Sequence, residues 1–146
     1  MKVRSAEPHD FEAVTLLLEA LGRKEVTNET RDRCRELYAA QVSDPNSDHL
    51  VALNDDGEIV GFCSLHFRKR LNYTTPEAWV PDLIVSDGVR RTGIGKALLE
   101  HAEGRAIERG CWALSLESAH HRVEAHRFYA AFGMRDMGKS VRKLLG

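Results

Sequence analysis

The sequence predicts one mixed domain of the α/β or α+β class. Three observations lead there. Apolar residues recur at helical spacing in some stretches and crowd into short branched runs in others, and the two patterns alternate along the chain. At 146 residues the chain has the size of one ordinary domain. With 42% hydrophobic and 29% charged residues it reads as globular, neither disordered nor membrane-spanning.

The elements follow in order. KVRSAE reads as a short first strand. PHDFEAVTLLLEALG places Phe11, Val14, Leu17, Leu18 and Leu21 on one helical face, with Pro8 at the start and Gly22 just past the end. NETRDRCRELYAAQV predicts a more polar second helix burying Cys34, Leu37 and Tyr38, and DPNSD breaks the chain. HLVAL and IVGFCSLHF are strand-like runs joined by NDDGE, an Asp-Gly hairpin signal. A basic loop, RKRLNYTTPE, leads to AWVPDLIVS, a third sheet-forming run. A long helix to about Arg109, the strand CWALSLES and the helix VEAHRFYAAFG follow, and SVRKLL is expected to close as a last strand. The order is βαα, βββ, then αβαβ, without repeat or linker over residues 1–146.

Composition narrows the partners. A formal net charge of -1 argues against wholesale attachment to nucleic acid or to an anionic membrane, so any anion site must be local. No stretch approaches the ~20 apolar residues of a membrane helix. MKVRSAEPHDFEAV lacks an apolar core of signal-peptide length. Cys34, Cys63 and Cys111 are far apart and odd in number, so buried free thiols in a reducing cytoplasm are expected. Adjacent His120 and His121, with His126 five residues on, lack the i,i+4 spacing of a helical zinc pair. No structural metal is expected, although a loosely held divalent ion shared with an anionic substrate stays open. Arg68 to Arg70 read as a solvated turn that also suits attraction of an anionic substrate.

The segment LIVSDGVRRTGIGKALLEHAE carries the most chemistry. The first turn of a helix leaves about four backbone N–H groups unpartnered and carries partial positive charge. Glycine there lets a ligand approach the backbone closely, and Arg90 and Arg91 add full charges. The combination suits a phosphate or pyrophosphate. A nucleoside-triphosphate loop does not fit, because Ile94-Gly95 stands where Lys-Ser or Lys-Thr is required. A small dinucleotide-binding domain is a weak alternative: Gly93-x-Gly95 begins its fingerprint and Glu117 ends the next strand, but Leu98 replaces the third glycine.

Arg90-x-x-Gly93-x-Gly95, between a strand and a helix, resembles the acetyl-coenzyme A signature of the GNAT superfamily of N-acetyltransferases. HRFYAAFGM is similar to that family's late helix, with Met134 where phenylalanine is common, and the order of elements matches over nearly the whole chain. The resemblance implies a mixed central sheet with two splayed parallel strands, DLIVS and ALSLES, flanked by about four helices. It implies that the pantetheine arm of acetyl-CoA lies along the Leu83, Ile84 and Val85 run and pairs with backbone groups at Ile84 and Val85. Arg90, Arg91, Thr92, Gly93, Ile94, Gly95 and Lys96 would wrap the pyrophosphate, and Ser118, Ala125 and Phe128 would line the cofactor.

The implied reaction is direct attack of a small-molecule primary amine on the thioester in a ternary complex. Tyr129 stands where the family places the acid that protonates the leaving thiolate, and a phenol is a suitable donor. Asp82, the carboxylate inside the apolar run, is a candidate base; it could equally hold the amine by charge or cap a bulge at Pro81. Glu77 and His66 are weaker candidates, and a backbone N–H near Val85 is placed to polarise the thioester oxygen. DPNSDHLVAL, GFCSLHF and AHRFY further resemble the aminoalkylphosphonate N-acetyltransferases, implying an amine that bears a phosphonate. A catalytically silent acyl-CoA-binding regulatory module is the alternative from another class. A homodimer is compatible with the resemblance.

Overall fold

The computed structural model describes residues 1–89, 91–117, 123–138 and 140–146. The chain divides into two compact units, Met1–Leu116 and Glu117–Gly146. The first unit holds a six-stranded sheet: β1 (Lys2–Ser5), β2 (Ser47–Leu53), β3 (Ile59–Arg68), β4 (Glu77–Val80), β5 (Leu83–Val85) and β6 (Ala113–Leu116). Strand order is β1-β2-β3-β4-β6, with β5 also on β3, and every pairing is antiparallel except β4 with β6.

Helices α1 (Phe11–Leu21) and α2 (Arg31–Val42) precede the β2–β3 hairpin, and α3 (Ile94–Glu108) follows β5. The helical periodicity of α1 drives Val14 and Leu17 into a cluster with Val51, Phe62 and Ile84 on one sheet face. On the other face α3 packs Ile94, Leu98, Ala102 and Ala106 against Leu50, Cys63, Leu65, Ala78 and Val80. Gly61 is where this packing is closest: a Cβ there would lie 2.9 Å from the Leu98 side chain and 3.1 Å from Ile94. Gly22 ends α1 in the left-handed conformation, φ 101°, as its place after the last apolar residue predicts.

Several expectations are corrected. The run AWVPDLIVS is two strands: between the Cys63–Leu83 and His66–Trp79 pairs, Ser64 and Leu65 of β3 face Val80, Pro81 and Asp82, so one extra residue bulges out. Proline without a ladder donor sits in that bulge. Leu37 of α2 is exposed, because this helix buries only a narrow stripe through Tyr38 and Val42. Of the cysteines only Cys63 is fully buried; Cys34 and Cys111 are half-buried. SVRKLL forms no strand among its described residues, and Val141, Leu144 and Leu145 are 90%, 79% and 91% exposed. Strand-like composition is insufficient where no neighbouring strand completes the hydrogen bonds. Arg68 is not a solvated turn residue: it pairs with the buried Glu77 and lies 4.7 Å over the Trp79 ring.

In the second unit α4 (Val123–Ala131) ends at Gly133, φ 99°, with the Met134 N–H donating to the Tyr129 carbonyl at 3.0 Å. Among the described residues no helix is long and apolar enough to cross a membrane.

Candidate active site

The parallel β4–β6 pairing ends at Val80–Leu116, and beyond the bulge β5 pairs with β3 alone among the described residues. The described parallel pairing therefore stops at Val80, and β5 continues on β3. Ser64 N–H donates to the Asp82 carbonyl (2.9 Å) and Ser86 N–H to the Val60 carbonyl (2.8 Å). Alternation in an antiparallel ladder therefore directs the Ile84 peptide groups at β3 and turns those of Leu83 and Val85 away from it. The expectation for Ile84 is corrected: its backbone is engaged with Phe62, and its side chain fills the core beneath α1. Leu83 and Val85 are the strand residues with peptide groups directed outward.

From Val85 the chain passes through a 3-10 turn, Asp87–Val89, to the start of α3. Thr92 fastens the turn by donating its hydroxyl to the Val89 carbonyl. Arg91 and Gly93 both take positive φ, 67° and 86°. Gly93 is the N-cap residue of α3 and supplies no side-chain cap; the first turn contains no acidic residue. The first intrahelical bond runs from the Ala97 N–H to the Gly93 carbonyl (3.0 Å), so the N–H groups of Ile94, Gly95 and Lys96 have no partner within the helix. Thr92, Gly93 and Lys96 are exposed, Gly95 half-buried, and Ile94 anchors the turn in the core. The result is an array of backbone donors beside a lysine, at the positive end of the longest helix. Arg90 and Ser118 lie outside the described residues.

Asp82 does not stand alone in an apolar run. Its Oδ1 accepts from Arg23 Nε at 2.7 Å and its Oδ2 from the Ser64 hydroxyl at 2.9 Å. Arg23 also donates to the Pro81 carbonyl (2.7 Å), and the Ser64 oxygen accepts the Asp82 N–H (3.0 Å). The carboxylate therefore ties α1's end and β3 to the bulge. Glu77 is held by Arg68 at the opposite end of β4, and His66 packs between the His49 and Trp79 rings, with centroids 5.5 and 5.8 Å away. Burial lowers the pKa of both histidines, His49 being lowered further by His66, so both rings favour the neutral form. The Cys63 thiol, buried beneath α3, is pushed up to about 12 by desolvation and has no nucleophilic character at neutral pH. Sequence reading missed Arg23, Ser64, His49 and Trp79. Only their strand alternation hinted at a shared face, and Arg23 lies 59 residues from its partner.

In the second unit Ala125, Phe128, Tyr129 and Phe132 are half-buried at i, i+3, i+4 and i+7, so they share one face of α4. The Phe128 and Tyr129 rings lie 5.4 Å apart. Among the described residues no cluster of three or more His, Cys, Asp or Glu could hold a metal ion.

A splayed parallel pair followed by a bare, glycine-opened helix points to a known family. The family model for the acetyltransferase (GNAT) family matches residues 13–134. The chain belongs to the GNAT acetyltransferase family. Its class is that of the acetyl-CoA-dependent N-acetyltransferases. Among curated proteins this GNAT chain is 31% identical to an aminoalkylphosphonate N-acetyltransferase of Salmonella typhimurium, over 92% of its own length and 84% of the relative's. Its fold is similar to the crystal structure of a transcriptional regulator from Bacillus halodurans C-125, at TM-score 0.85 and 25% identity, covering 99% of both chains. It is also similar to glucosamine-6-phosphate N-acetyltransferase from Arabidopsis thaliana, at TM-score 0.82 and 21% identity over 99% of this chain and 98% of that one, a likeness of fold.

Proposed function

We propose that residues 1–146 act as one N-acetyltransferase domain that moves the acetyl group of acetyl-CoA directly to a primary amine of a small molecule, an aminoalkylphosphonate being the favoured acceptor. The start of α3 carries the reading: its first-turn backbone donors, without partners inside the helix and beside Lys96 with no acidic residue in that turn, suit a diphosphate. Arg90 through Lys96 hold that group, Leu83 and Val85 offer their outward peptide groups to the pantetheine amides, and Ser118, Ala125 and Phe128 line the remainder. When bound, the thioester supplies an activated acetyl group.

A neutral amine attacks the thioester carbonyl, an N–C bond forms, and the C–S bond breaks with the electron pair leaving on sulfur. Alkylamines have a reference pKa near ~10, so the amine must lose a proton before or during attack. Tyr129 is assigned as the acid that protonates the departing thiolate. Cys63 being an inert thiol supports direct transfer without an acyl-enzyme on that residue. Of the three roles open to Asp82, locking the bulge is favoured, because both oxygens already have partners. It is then a positioning residue that sets the edge of β5. The 31% identity to an aminoalkylphosphonate N-acetyltransferase supports the acceptor class.

The test is thiol release from acetyl-CoA across a panel of amines that includes aminoalkylphosphonates. Turnover with a free amine is expected; coenzyme A binding without turnover of any amine would instead favour the silent regulatory module. Tyr129→Phe is expected to lower kcat by ~10²–10⁴, and an unchanged kcat retires the acid assignment. Asp82→Asn is expected to raise the KM for acetyl-CoA while leaving the pH profile of kcat in place; loss of its acid-side dependence would make Asp82 a base after all.

A further inference from the structure

The sheet face beneath α1 contains polar chemistry that the acetyl-CoA site does not use. Residues of β2, β3 and β4 alternate so that His49, Ser64, His66 and Trp79 share this face. His49, His66 and Trp79 form a continuous row of rings across three strands, and the His49 ring also stacks on Phe62, 6.1 Å away at an interplanar angle of 3°. Two buried side-chain polar atoms have no hydrogen-bond partner among the described residues, and both belong to this row: His49 Nε2 and Trp79 Nε1. His49 is only 7% exposed. Buried polar atoms without partners are rare, and two within one row of rings ask for a common explanation.

The chemistry of the pair defines its ligand. An indole N–H donates only, so its partner must be an acceptor. A neutral imidazole donates from Nε2 in one tautomer. Asp82 and Glu77, which border this row, are matched by Arg23 and Arg68, with Arg70 3.8 Å from Glu77, and Asp44 is the further carboxylate whose charge reaches both histidines. The row thus offers an incoming anion the Trp79 N–H and, in one imidazole tautomer, the His49 Nε2–H, while Asp82 and Glu77 are occupied by arginines.

We infer that Trp79 Nε1 and His49 Nε2 are the recognition donors for an oxyanion group, phosphonate or carboxylate, at the end of the amine acceptor remote from its nitrogen. The inference rests on the acetyl-transfer reading and deepens it. It makes both residues determinants of acceptor specificity that touch no reacting atom, and it shifts anion recognition from the Arg68–Arg70 turn to buried neutral donors.

Three amines of matched length separate the possibilities: 2-aminoethylphosphonate, β-alanine and propylamine. Trp79→Phe keeps a ring against His66 and Arg68 but removes the N–H. It is expected to raise the KM of the anionic acceptor by ~10-fold or more, the size of a lost charge-assisted hydrogen bond, with kcat and the KM for acetyl-CoA nearly unchanged and propylamine unaffected. His49→Phe is expected to do the same. Preference between the phosphonate and the carboxylate in the unsubstituted enzyme identifies which oxyanion the pair serves. Equal losses with propylamine, or no loss with either anion, overturn the inference; failure of the unsubstituted enzyme to acetylate any of the panel overturns the acetyl-transfer reading instead. Should Trp79→Phe fail to fold, Trp112→Phe leaves Trp79 as the sole tryptophan. Its emission should then respond to 2-aminoethylphosphonate or β-alanine and not to propylamine, and silence toward both anions equally refutes the proposal.

Discussion

The starts of α1 and α3 solve the same problem in opposite ways. Each helix begins with backbone donors that have no partner inside the helix. Before α1, Asp10 turns back to accept the Glu7 N–H at 2.8 Å and is gripped by Arg4 at 2.7 and 3.0 Å, its side chain only 3% exposed. Tyr38 of α2 closes the same corner by donating to the Glu7 carbonyl at 2.8 Å, and burial pushes its phenol up to about 12, so it remains a donor. Glu12 adds an acid to the first turn of α1. Neither N-cap residue, Asp10 or Gly93, bonds its own helix through a side chain. A 3-10 turn, Pro8–Asp10, with a Glu7–Asp10 capping box leads into α1, whereas the first turn of α3 contains no acid and opens on Gly93 at positive φ with Lys96 beside it. One start is preceded by a turn that its own side chains close; the other opens on a bare glycine, which suits the anion proposed above. A helix start without an acid is thus informative only beside one that has it.

The largest effect should come from breaking the closed end. Asp10→Ala is expected to cost about 2–4 kcal/mol in urea unfolding, because it strips a buried ion pair of one partner. Coenzyme A affinity of the folded fraction should be unchanged; a matching loss of affinity would mean the two ends are not separate in function. The Arg4 guanidinium holds the Asp10 carboxyl below its usual range. Its stabilisation is therefore complete above about pH 4 and lost as the pH falls through the lower folded-state value, and Asp10→Asn should flatten that acid limb.

Making the open end resemble the closed one comes next. Lys96→Glu should weaken coenzyme A binding by ~10–30-fold in calorimetry, about 1.4–2 kcal/mol, while stabilising α3 by a few tenths of a kcal/mol through its dipole. The binding loss should shrink as salt is raised. A variant that binds as well as the parent would remove the diphosphate from this turn.

Gly93→Ala separates conformation from access. A Cβ at Gly93 meets nothing within 4 Å, but φ is +86°, so the expected cost is about 1 kcal/mol of stability. Affinity should fall much less than in Lys96→Glu. The smallest effect is expected on the sheet face beneath α1. Burial lowers the pKa of His49 and His66, so stability they contribute when neutral declines as the pH drops below about 6.5, the unfolded value, toward the lower folded ones. His49→Phe should make the melting curve less pH-dependent between pH 7 and 5, and an unaltered slope would show that His49 does not titrate there.

Much of the fold was legible in the letters because its signals are local. The α1 periodicity, the Gly22 stop, the Asp-Gly hairpin and the glycines opening α3 all act within a few residues of themselves, through backbone sterics and apolar spacing. The open helix start was legible for the same reason. The Pro81–Asp82 bulge was half-legible: proline announced an interruption, but the extra residue is visible only against the β3 register. Exposure of Leu37 and the absence of a strand at SVRKLL were not legible, since both depend on whether another element lies alongside.

What the sequence determined by itself is the class of chemistry, a bare helix N-terminus rich in glycine and positive charge beside a strand, because helix ends and φ preferences are properties of a short stretch of chain. Only the tertiary structure decided how the other groups are arranged over the sheet. It turned Leu83 and Val85 outward and Ile84 inward, joined Arg23 to Asp82 across 59 residues, and gathered His49, His66 and Trp79 into one row. Those outcomes follow from strand register and sheet order, which are set by packing over the whole core and carry no signature in any single segment.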